Sequence, residues 1–440
     1  MKKLRPILLL SLCLVLVGCE GLIVTPQKPA SETTGAVSAP PQTAAPTVEP
    51  TVAQTLEPTA EPTVEPTVEP TPVPTPTPEP EPTKINVMAV GDIMFHEAQI
   101  KAAYNSTDKS YDFTYSYQFI KDIVSSADLA LGNFECTLGG PKKPYSVVNS
   151  KSFNTPDSAA DALAGAGFDI LSTANNHTND RGRDGVIRTV SVMREKGIVP
   201  VGTRMDANEK PYYIADVKGV KLGVTAYTFG SRNSDIVNCF SYNTAKELPN
   251  FEKMIGAMRA DGAEIIMVII HWGSEYQRAP GSPQKNIAKC LADLGVDVIF
   301  GSHPHVLQPV DVITSSKSGK KTFVAYSLGN FCANQIYGAN DKFTYTDESM
   351  ILNVHIEKKP DGSAPTIEAV EYLPTKTMRY TVSGRRKYTV VPLEKAIDAP
   401  EQYDVISNYD KNRLKISLGN TNKLMADAVA KGYITLMKLE

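Results

Sequence analysis

Five of the six histidines in this sequence stand just past the end of a short apolar run: His96, His177, His271, His303 and His305. Around them stand Asp92, Asn133, Glu135, Asn175, Asn176, Asp180 and Glu275. Imidazole nitrogen with carboxylate and amide oxygen, and no thiolate, suits Mn, Fe, Co or Zn rather than a structural zinc cage. The segment Gly301-Ser302-His303-Pro304-His305 is the most informative. Two histidines one residue apart on a rigid turn can both face inward, giving one ligand to each of two metals. Cys136, Cys239, Cys290 and Cys332 are widely spaced with no CxxC pair, which argues against a cysteine zinc site. Cys136 and Cys332 adjoin these segments but have no evident base beside them, so a thiol nucleophile is not expected.

The apolar runs that carry these residues read as strands. Lys84–Val90 ends at Gly91-Asp92, Leu129–Leu131 at Gly132-Asn133, and Asp169–Thr173 at Asn175-Asn176-His177. Lys221–Phe229 reads as another strand. Ile265–Ile270 is continuous, as in a strand buried on both faces, and ends at His271. Val296–Phe300 ends at Gly301-Ser302-His303, and Thr322–Tyr326 at Ser327-Leu328-Gly329-Asn330. Helical spacing appears over Gly185–Lys196 and Ser282–Leu294. Polar chemistry placed repeatedly beyond strand C-termini is the ligand-binding edge of a layered α/β fold. Met350–Ile356 and Thr366–Tyr372 read as later strands with the alternation of a more exposed sheet. From about Tyr388 the helical patterns are short and weak.

Composition limits where such a fold fits. Of the 32 prolines in 440 residues, 16 lie between Pro26 and Pro82, in repeats such as Glu61-Pro62-Thr63-Val64-Glu65-Pro66. Such a stretch cannot bury enough apolar surface to offset the cost of ordering, so residues 20–83 read as a disordered linker. In extended polyproline form, at ~3.1 Å per residue, it would reach at most about 200 Å. Ahead of it, Met1-Lys2-Lys3-Leu4-Arg5 precedes an apolar run from Ile7 to Val17, too short for an ordinary membrane span. That run ends in Leu16-Val17-Gly18-Cys19, which resembles the lipobox of bacterial lipoproteins. The resemblance implies cleavage before Cys19, lipidation of its sulfur, and a protein held on the extracytoplasmic face of the cell membrane. Residues 84–440 then form the folded part, with core motifs over 84–375 and a C-terminal extension over 376–440. The net charge is −3 over the whole chain. A nearly neutral body argues against a nucleic-acid binder.

Taken in order, Val90-Gly91-Asp92-Ile93-Met94, Gly132-Asn133-Phe134-Glu135, Ala174-Asn175-Asn176-His177, His271-Trp272-Gly273-Ser274-Glu275-Tyr276, Gly301-Ser302-His303-Pro304-His305-Val306-Leu307-Gln308 and Ser327-Leu328-Gly329-Asn330-Phe331 resemble the CapA family of capsule-synthesis proteins. That family looks like a branch of the calcineurin-like metallophosphoesterases. The resemblance implies a four-layer αββα sandwich with two packed sheets and helices outside. It also implies a link to poly-γ-glutamate and a pair of divalent ions such as Mn, Fe or Zn. Carried over by position, Asp92, Asn176, His271, His303 and His305 are metal ligands, and His177 stands near the leaving group. Two positions depart from the pattern. Met94 stands where a histidine is expected, leaving His96 two residues later as a substitute that reaches or does not. Asn133 stands where the bridging carboxylate is expected, and Glu135 is the candidate to replace it. Asp180 is the nearest acid to orient His177.

Around these ligands, Asn133, Asn175, Glu275 and Asn330 are candidates to brace the site, and Arg181, Arg183 and Arg278 to bind substrate anions. Trp272 reads as a core anchor ahead of a substrate platform, and His355 as structural. The function expected is a metal-dependent hydrolase or transferase acting on poly-γ-glutamate or a related anionic envelope polymer, within a membrane polymer-synthesis complex. The alternative is a non-catalytic tethered subunit that guides or holds the exported polymer. A broad phosphoesterase ranks third.

Overall fold

Strand Thr83–Ile93 sends Val87 and Ala89 into one apolar layer and Met88 and Val90 into another. This period-two alternation makes it the centre of a sheet covered on both faces. The structure, a computed structural model, describes residues 80–146, 152–338, 343–403 and 410–439. The leader, Cys19 and residues 20–79 of the linker lie outside the described residues. Among the described residues no helix is long and apolar enough to cross a membrane.

Two sheets carry the architecture. The first runs Arg385–Pro392, Thr366–Val382, Glu348–Lys358, Thr83–Ile93, Leu129–Phe134, Ile170–Ser172, Val199–Val201. Its half from Thr83–Ile93 to Val199–Val201 is parallel and the other half antiparallel. Asn330–Cys332 lies parallel beside the end of Thr83–Ile93. The second sheet runs Val310–Thr314, Lys321–Ala325, Val298–Ser302, Ile265–His271, Val220–Phe229, Tyr213–Val217, parallel at its centre and antiparallel at both edges.

Three apolar layers hold these sheets. Between them, Val87, Leu131, Leu352 and Val354 of the first meet Val224, Met267, Ile269 and Phe300 of the second. Outside the first, Met88, Val90 and Leu171 meet Leu163 and Met193 from helices Ser158–Gly165 and Gly182–Glu195. Outside the second, Ile266, Val268 and Ile270 meet Phe251, Met258, Ile287 and Leu291 from helices Thr244–Ala260 and Ser282–Asp293. The result is the expected αββα sandwich. Each fully buried Val, Leu or Ile contributes about 1.5–3 kcal/mol of transfer free energy to it.

Glu348–Lys358 departs from expectation. Its first seven residues are all buried, so it is an interior strand and not part of an exposed sheet. Polar Ser349 and Asn353 interrupt its apolar run and mimic solvent-facing alternation, yet both are buried. Thr366–Val382 is 17 residues long, runs through position 375, and pairs with Arg385–Pro392. The weak C-terminal pattern is a 20-residue helix, Lys411–Ala430. It buries Leu414, Ser417, Thr421, Met425 and Ala428. Two hydroxyl residues on that stripe hide the apolar period.

Candidate metal centre

The parallel strands of both sheets end at one edge, and pairing register decides which side chains meet there. Asp92 stands opposite Asn133 on one side and Asn330 on the other. His271 stands opposite Ser302 in the second sheet. Two glycines let the backbones close in. A Cβ at Gly91 would lie 1.9 Å from the Gly329 carbonyl oxygen, and one at Gly301 would lie 2.1 Å from that of Tyr326. With Gly91 in place, the Asp92 amide donates to the Gly329 carbonyl at 2.8 Å.

Beyond Ser302 the chain turns sharply. His303 has φ 93° and His305 φ 57°, both left-handed and neither glycine. Such a conformation costs an L-residue roughly 1–2 kcal/mol and persists where surrounding contacts impose it. Here Asp92 imposes it: its Oδ2 accepts from the His303 amide at 3.2 Å and stands 3.1 Å from His305 Nδ1. Asn330 Oδ1 lies 3.0 Å from the same nitrogen. Asn330 Nδ2 in turn donates to Gln335 Oε1 and to the Thr346 carbonyl, both at 2.9 Å. Asn133 Nδ2 donates to Asp92 Oδ1 at 2.8 Å and approaches Glu135 Oε2 at 3.3 Å.

The buried atoms left over define the centre. Glu135 Oε1, His271 Nε2 and His303 Nδ1 are buried with no hydrogen-bond partner. Glu135 Oε1 stands 3.6 Å from His271 Nε2 and 3.7 Å from His305 Nε2, too far for hydrogen bonds. Two ligands about 2.1 Å from one tetrahedral ion stand about 3.4 Å apart, so this spacing suits ligands sharing a cation. Three sets each bring their ligand atoms within 4.8 Å of one another: Glu135, His271 and His303; Asp92, Glu135 and His305; Glu275, His303 and His305. The donor set therefore fits divalent metal.

Electrostatics point the same way. Burial pushes the Glu135 carboxyl well above its ordinary range, and the neighbouring Asp92, Glu275 and Asp180 add to the shift. Burial holds His271 well below its usual value, with His303, His305 and His177 adding repulsion. His303 falls to about 4, again chiefly through burial, with His305 lowering it and Asp92 opposing. The His271 and His303 imidazoles are thus neutral and ready to donate lone pairs at neutral pH, while burial disfavours ionisation of the Glu135 carboxyl unless a cation compensates it.

His177 and Asp180 form a half-buried rim. His177 Nδ1 lies 2.9 Å from Asp180 Oδ2, which also accepts from the Phe153 amide at 2.5 Å. The Phe153 ring sits edge-on between His177 and His96, with centroids 4.5 and 5.2 Å away. His96 turns its Nδ1 toward Gln99 Oε1 at 3.2 Å, at the start of helix Glu97–Ala103. It joins none of the three ligand sets among the described residues. Burial lowers it to about 4. Of the two adjacent asparagines, Asn175 is buried and donates to the Phe134 carbonyl at 2.9 Å, whereas Asn176 is exposed.

The remaining expected residues fall on both sides of the site. Glu275 is exposed, yet its carboxylate belongs to the set with His303 and His305. Arg181 is held by Ser152 and by the Asp180 carbonyl at 2.9 Å, and Arg183 by Asp235 at 2.8 Å. Arg278 lies over the Tyr345 ring, 4.0 Å from its centroid. Trp272 is wholly buried and donates Nε1 to the Tyr326 carbonyl at 2.9 Å, so it anchors the core. His355 pairs with Glu371 at 2.7 Å, away from the cluster. The Cys136 and Cys332 thiols are pushed up to about 12 by burial, which fits neither to nucleophilic work.

Sequence reasoning passed over several contributors. Ser302 Oγ lies 3.0 Å from His271 Nδ1, which fixes that ring with Nε2 facing Glu135. Phe229 stacks at 6.1 Å on His271 and stands 4.9 Å from His303, closing the apolar wall. Ser302 lies within the Gly301-Ser302-His303 segment and Phe229 at a strand end, so position is the signal that could have found them. Phe153 and Gln335 carry no comparable signal.

Residues 86–335 match the family model described as bacterial capsule synthesis protein PGA_cap. The PGA biosynthesis protein CapA of Bacillus subtilis (strain 168) is 29% identical over 252 residues, covering 56% of this chain and 62% of that protein. The capsule biosynthesis protein CapA of Bacillus anthracis is 29% identical over 289 residues, covering 64% and 66%. The chain thus spans a little under two thirds of the length of each of these relatives. A Staphylococcus aureus protein provisionally assigned as a 5′-nucleotidase, solved with alpha-ketoglutarate, is a distant structural likeness. Its TM-score is 0.38 at 15% identity, over 66% of this chain and 54% of that one.

Proposed function

The chain belongs to the PGA_cap family of bacterial capsule synthesis proteins, and from that premise we propose that it is a lipid-anchored, extracytoplasmic metal-dependent hydrolase or transferase acting on poly-γ-glutamate or a related anionic envelope polymer. The observation that carries this reading is the set of buried, unpartnered ligand atoms on Glu135, His271 and His303, beside Asp92 and His305. A scaffold has no need to leave such atoms without partners, since each costs about 1–3 kcal/mol when unpaired. The Leu16-Val17-Gly18-Cys19 segment supports the anchor, and the names of the two Bacillus relatives support the polymer.

The roles follow from position. Glu135, His271, His303, Asp92 and His305 would hold two divalent ions, with Glu275 closing the outer side. Bound there, the ions would supply Lewis-acid polarisation of a carbonyl or phosphoryl oxygen. Asn133 holds Asp92 and Glu135 in register through its amide. Asp180 accepts from His177 Nδ1, which selects that tautomer and leaves Nε2 to manage the proton of the leaving group. For a γ-glutamyl amide, a water oxygen would add to the carbonyl carbon while giving one proton to His177 Nε2; the C–N bond then breaks and that proton passes to the departing amine, leaving a carboxylic acid and a free amine. Asp180 is a positioning residue and stabilises the imidazolium. Phe153 packs edge-on against His177, and Phe229 stacks on His271.

The test is metal content by mass spectrometry on the purified full chain, beside a His303→Ala/His305→Ala variant, followed by turnover of γ-glutamyl oligomers and phosphoesters. About two equivalents of Mn, Fe or Zn, lost in the variant together with turnover, are expected. A folded wild type that takes up no metal after reloading would instead assign the protein to polymer guidance without catalysis.

A further inference from the structure

The loop after His271 carries Glu275 toward the ligand histidines and Arg278 away from them. The Tyr276 amide donates to the Pro304 carbonyl at 2.8 Å, so this loop is fastened to the His303–His305 turn. Beside it lies a cavity of about 460 Å³, bordered by Glu275, Arg278, Val306, Thr344 and Tyr345. That volume accommodates a small ligand or a short polymer segment. Val306 follows His305 directly, so one end of the cavity abuts the metal centre.

Arg278 is held in place without being neutralised. Its guanidinium lies 4.0 Å over the Tyr345 ring, its Nη2 makes one long 3.4 Å bond to the Asn420 carbonyl, and its buried Nε has no partner. Arg413 of the C-terminal helix repeats the arrangement. It lies 3.5 Å over Tyr337, reaches the Thr344 carbonyl at 3.4 Å, and leaves Nε unpartnered. Among the described residues, Arg183, Arg188, Arg194 and Arg259 each hold a carboxylate within 3.0 Å. Among the described residues, neither Arg278 nor Arg413 has a carboxylate within salt-bridge distance. Stacking fixes the plane of a guanidinium while leaving its donor edge open, which suits it to a carboxylate arriving from outside.

We infer that Arg278, stacked on Tyr345 and seconded by Arg413 across Thr344, forms a carboxylate subsite that holds a side-chain carboxylate of the polymer next to the residue at the metal centre. The inference rests on the polymer reading given above. Glu275 and Arg278 border the same cavity, and Arg278 supplies the fixed positive charge there for a substrate carboxylate. A polymer bearing a carboxylate on every residue can therefore place one repeat at the metals and the next over Arg278.

Binding of a short γ-glutamate oligomer to the metal-loaded full chain tests this by calorimetry, with inorganic phosphate and an uncharged γ-glutamyl amide as further probes. Arg278→Gln and Arg413→Gln should each weaken oligomer binding by roughly 10–100-fold, the worth of a hydrogen bond to a charged group. Arg278→Lys should fall between, because it keeps charge and loses the planar fork. Metal content and melting temperature should not change, and the uncharged amide should bind equally weakly to all. If wild type binds the oligomer and the arginine variants bind it just as well, the subsite is wrong and the polymer reading stands. Failure of metal-loaded wild type to bind the oligomer at all would sink the polymer reading and the subsite together. Arg278-dependent binding of phosphate but not of the oligomer would replace the carboxylate polymer with a phosphate-bearing ligand.

Discussion

Among the described residues, two pairs of buried carboxylates have their charge handled in opposite ways. Asp347 and Glu348 are buried beside Lys376, whose Nζ stands 2.7 Å from Asp347 Oδ2. Glu348 Oε1 also accepts from Asn420 at 2.8 Å. Asp92 and Glu135 are equally buried, but among the described residues no lysine or arginine pairs with them. Their neighbours are His271, His303 and His305, and burial keeps the first two of these neutral. The first group brings its own cation as part of the fold, although Asp347 Oδ1 and Glu348 Oε2 are buried without hydrogen-bond partners. The second leaves room for a cation from outside. What separates the structural carboxylate cluster from the candidate metal centre is the missing fixed positive charge, since buried carboxylates are common to both.

Breaking this contrast should give its largest effect at the structural cluster. Lys376→Met leaves Asp347 buried and uncompensated, and should cost about 3–5 kcal/mol in urea unfolding while sparing metal uptake in the folded fraction. Glu135→Gln should behave oppositely. Metal content should collapse, while the metal-free protein should unfold at the same or higher urea concentration, because a buried acid without a counter-ion has been removed. A marked loss of metal-free stability in Glu135→Gln would erase the distinction between the clusters. Ser302→Ala removes the hydroxyl beside His271 Nδ1 and should weaken metal binding by about 10–100-fold in a competition titration, with little change in fold.

The smallest effect sharpens the contrast through pH. Because Glu135 holds its proton above the ordinary carboxyl range, metal binding near neutral pH should release it, seen as buffer-dependent heat in calorimetry. His271 and His303 are already neutral there and should add no protons. In the metal-free protein the two residue types pull stability in opposite directions. His303, lowered from 6.5 to about 4, contributes stability that is present above pH 6.5 and lost as the pH falls toward 4. Glu135 is raised, so its contribution is present at acid pH and lost as the pH rises through its folded value. Metal-free urea unfolding against pH, for wild type and Glu135→Gln, separates the two slopes.

Much of the strand framework was legible in the sequence. Ile265–Ile270 and Lys221–Phe229 match their strands within a residue or two, the first because a strand covered on both faces must be continuously apolar. The clustered histidines were legible because each stands at or shortly after the end of such a run. Helix Lys411–Ala430 was not, since Ser417 and Thr421 occupy its buried stripe. The Lys376–Asp347 pair was equally hidden, because a buried lysine in a sequence looks like any surface lysine. Nor does a pair of adjacent asparagines reveal which one turns inward; the bend before His177 buries Asn175 and exposes Asn176.

Residue type and order alone determined that imidazoles and carboxylates would gather at the C-terminal ends of buried strands, because apolar runs must go inside and the polar residues that end them must come to the edge. Only the tertiary structure decided which of them meet. Asp92 and His305 are 213 positions apart, and they face each other because two separate sheets pack through one apolar layer. The left-handed turn at His303 and His305 depends on the same contact. Local propensity disfavours that conformation, so the turn is set by a partner that no stretch of neighbouring sequence contains.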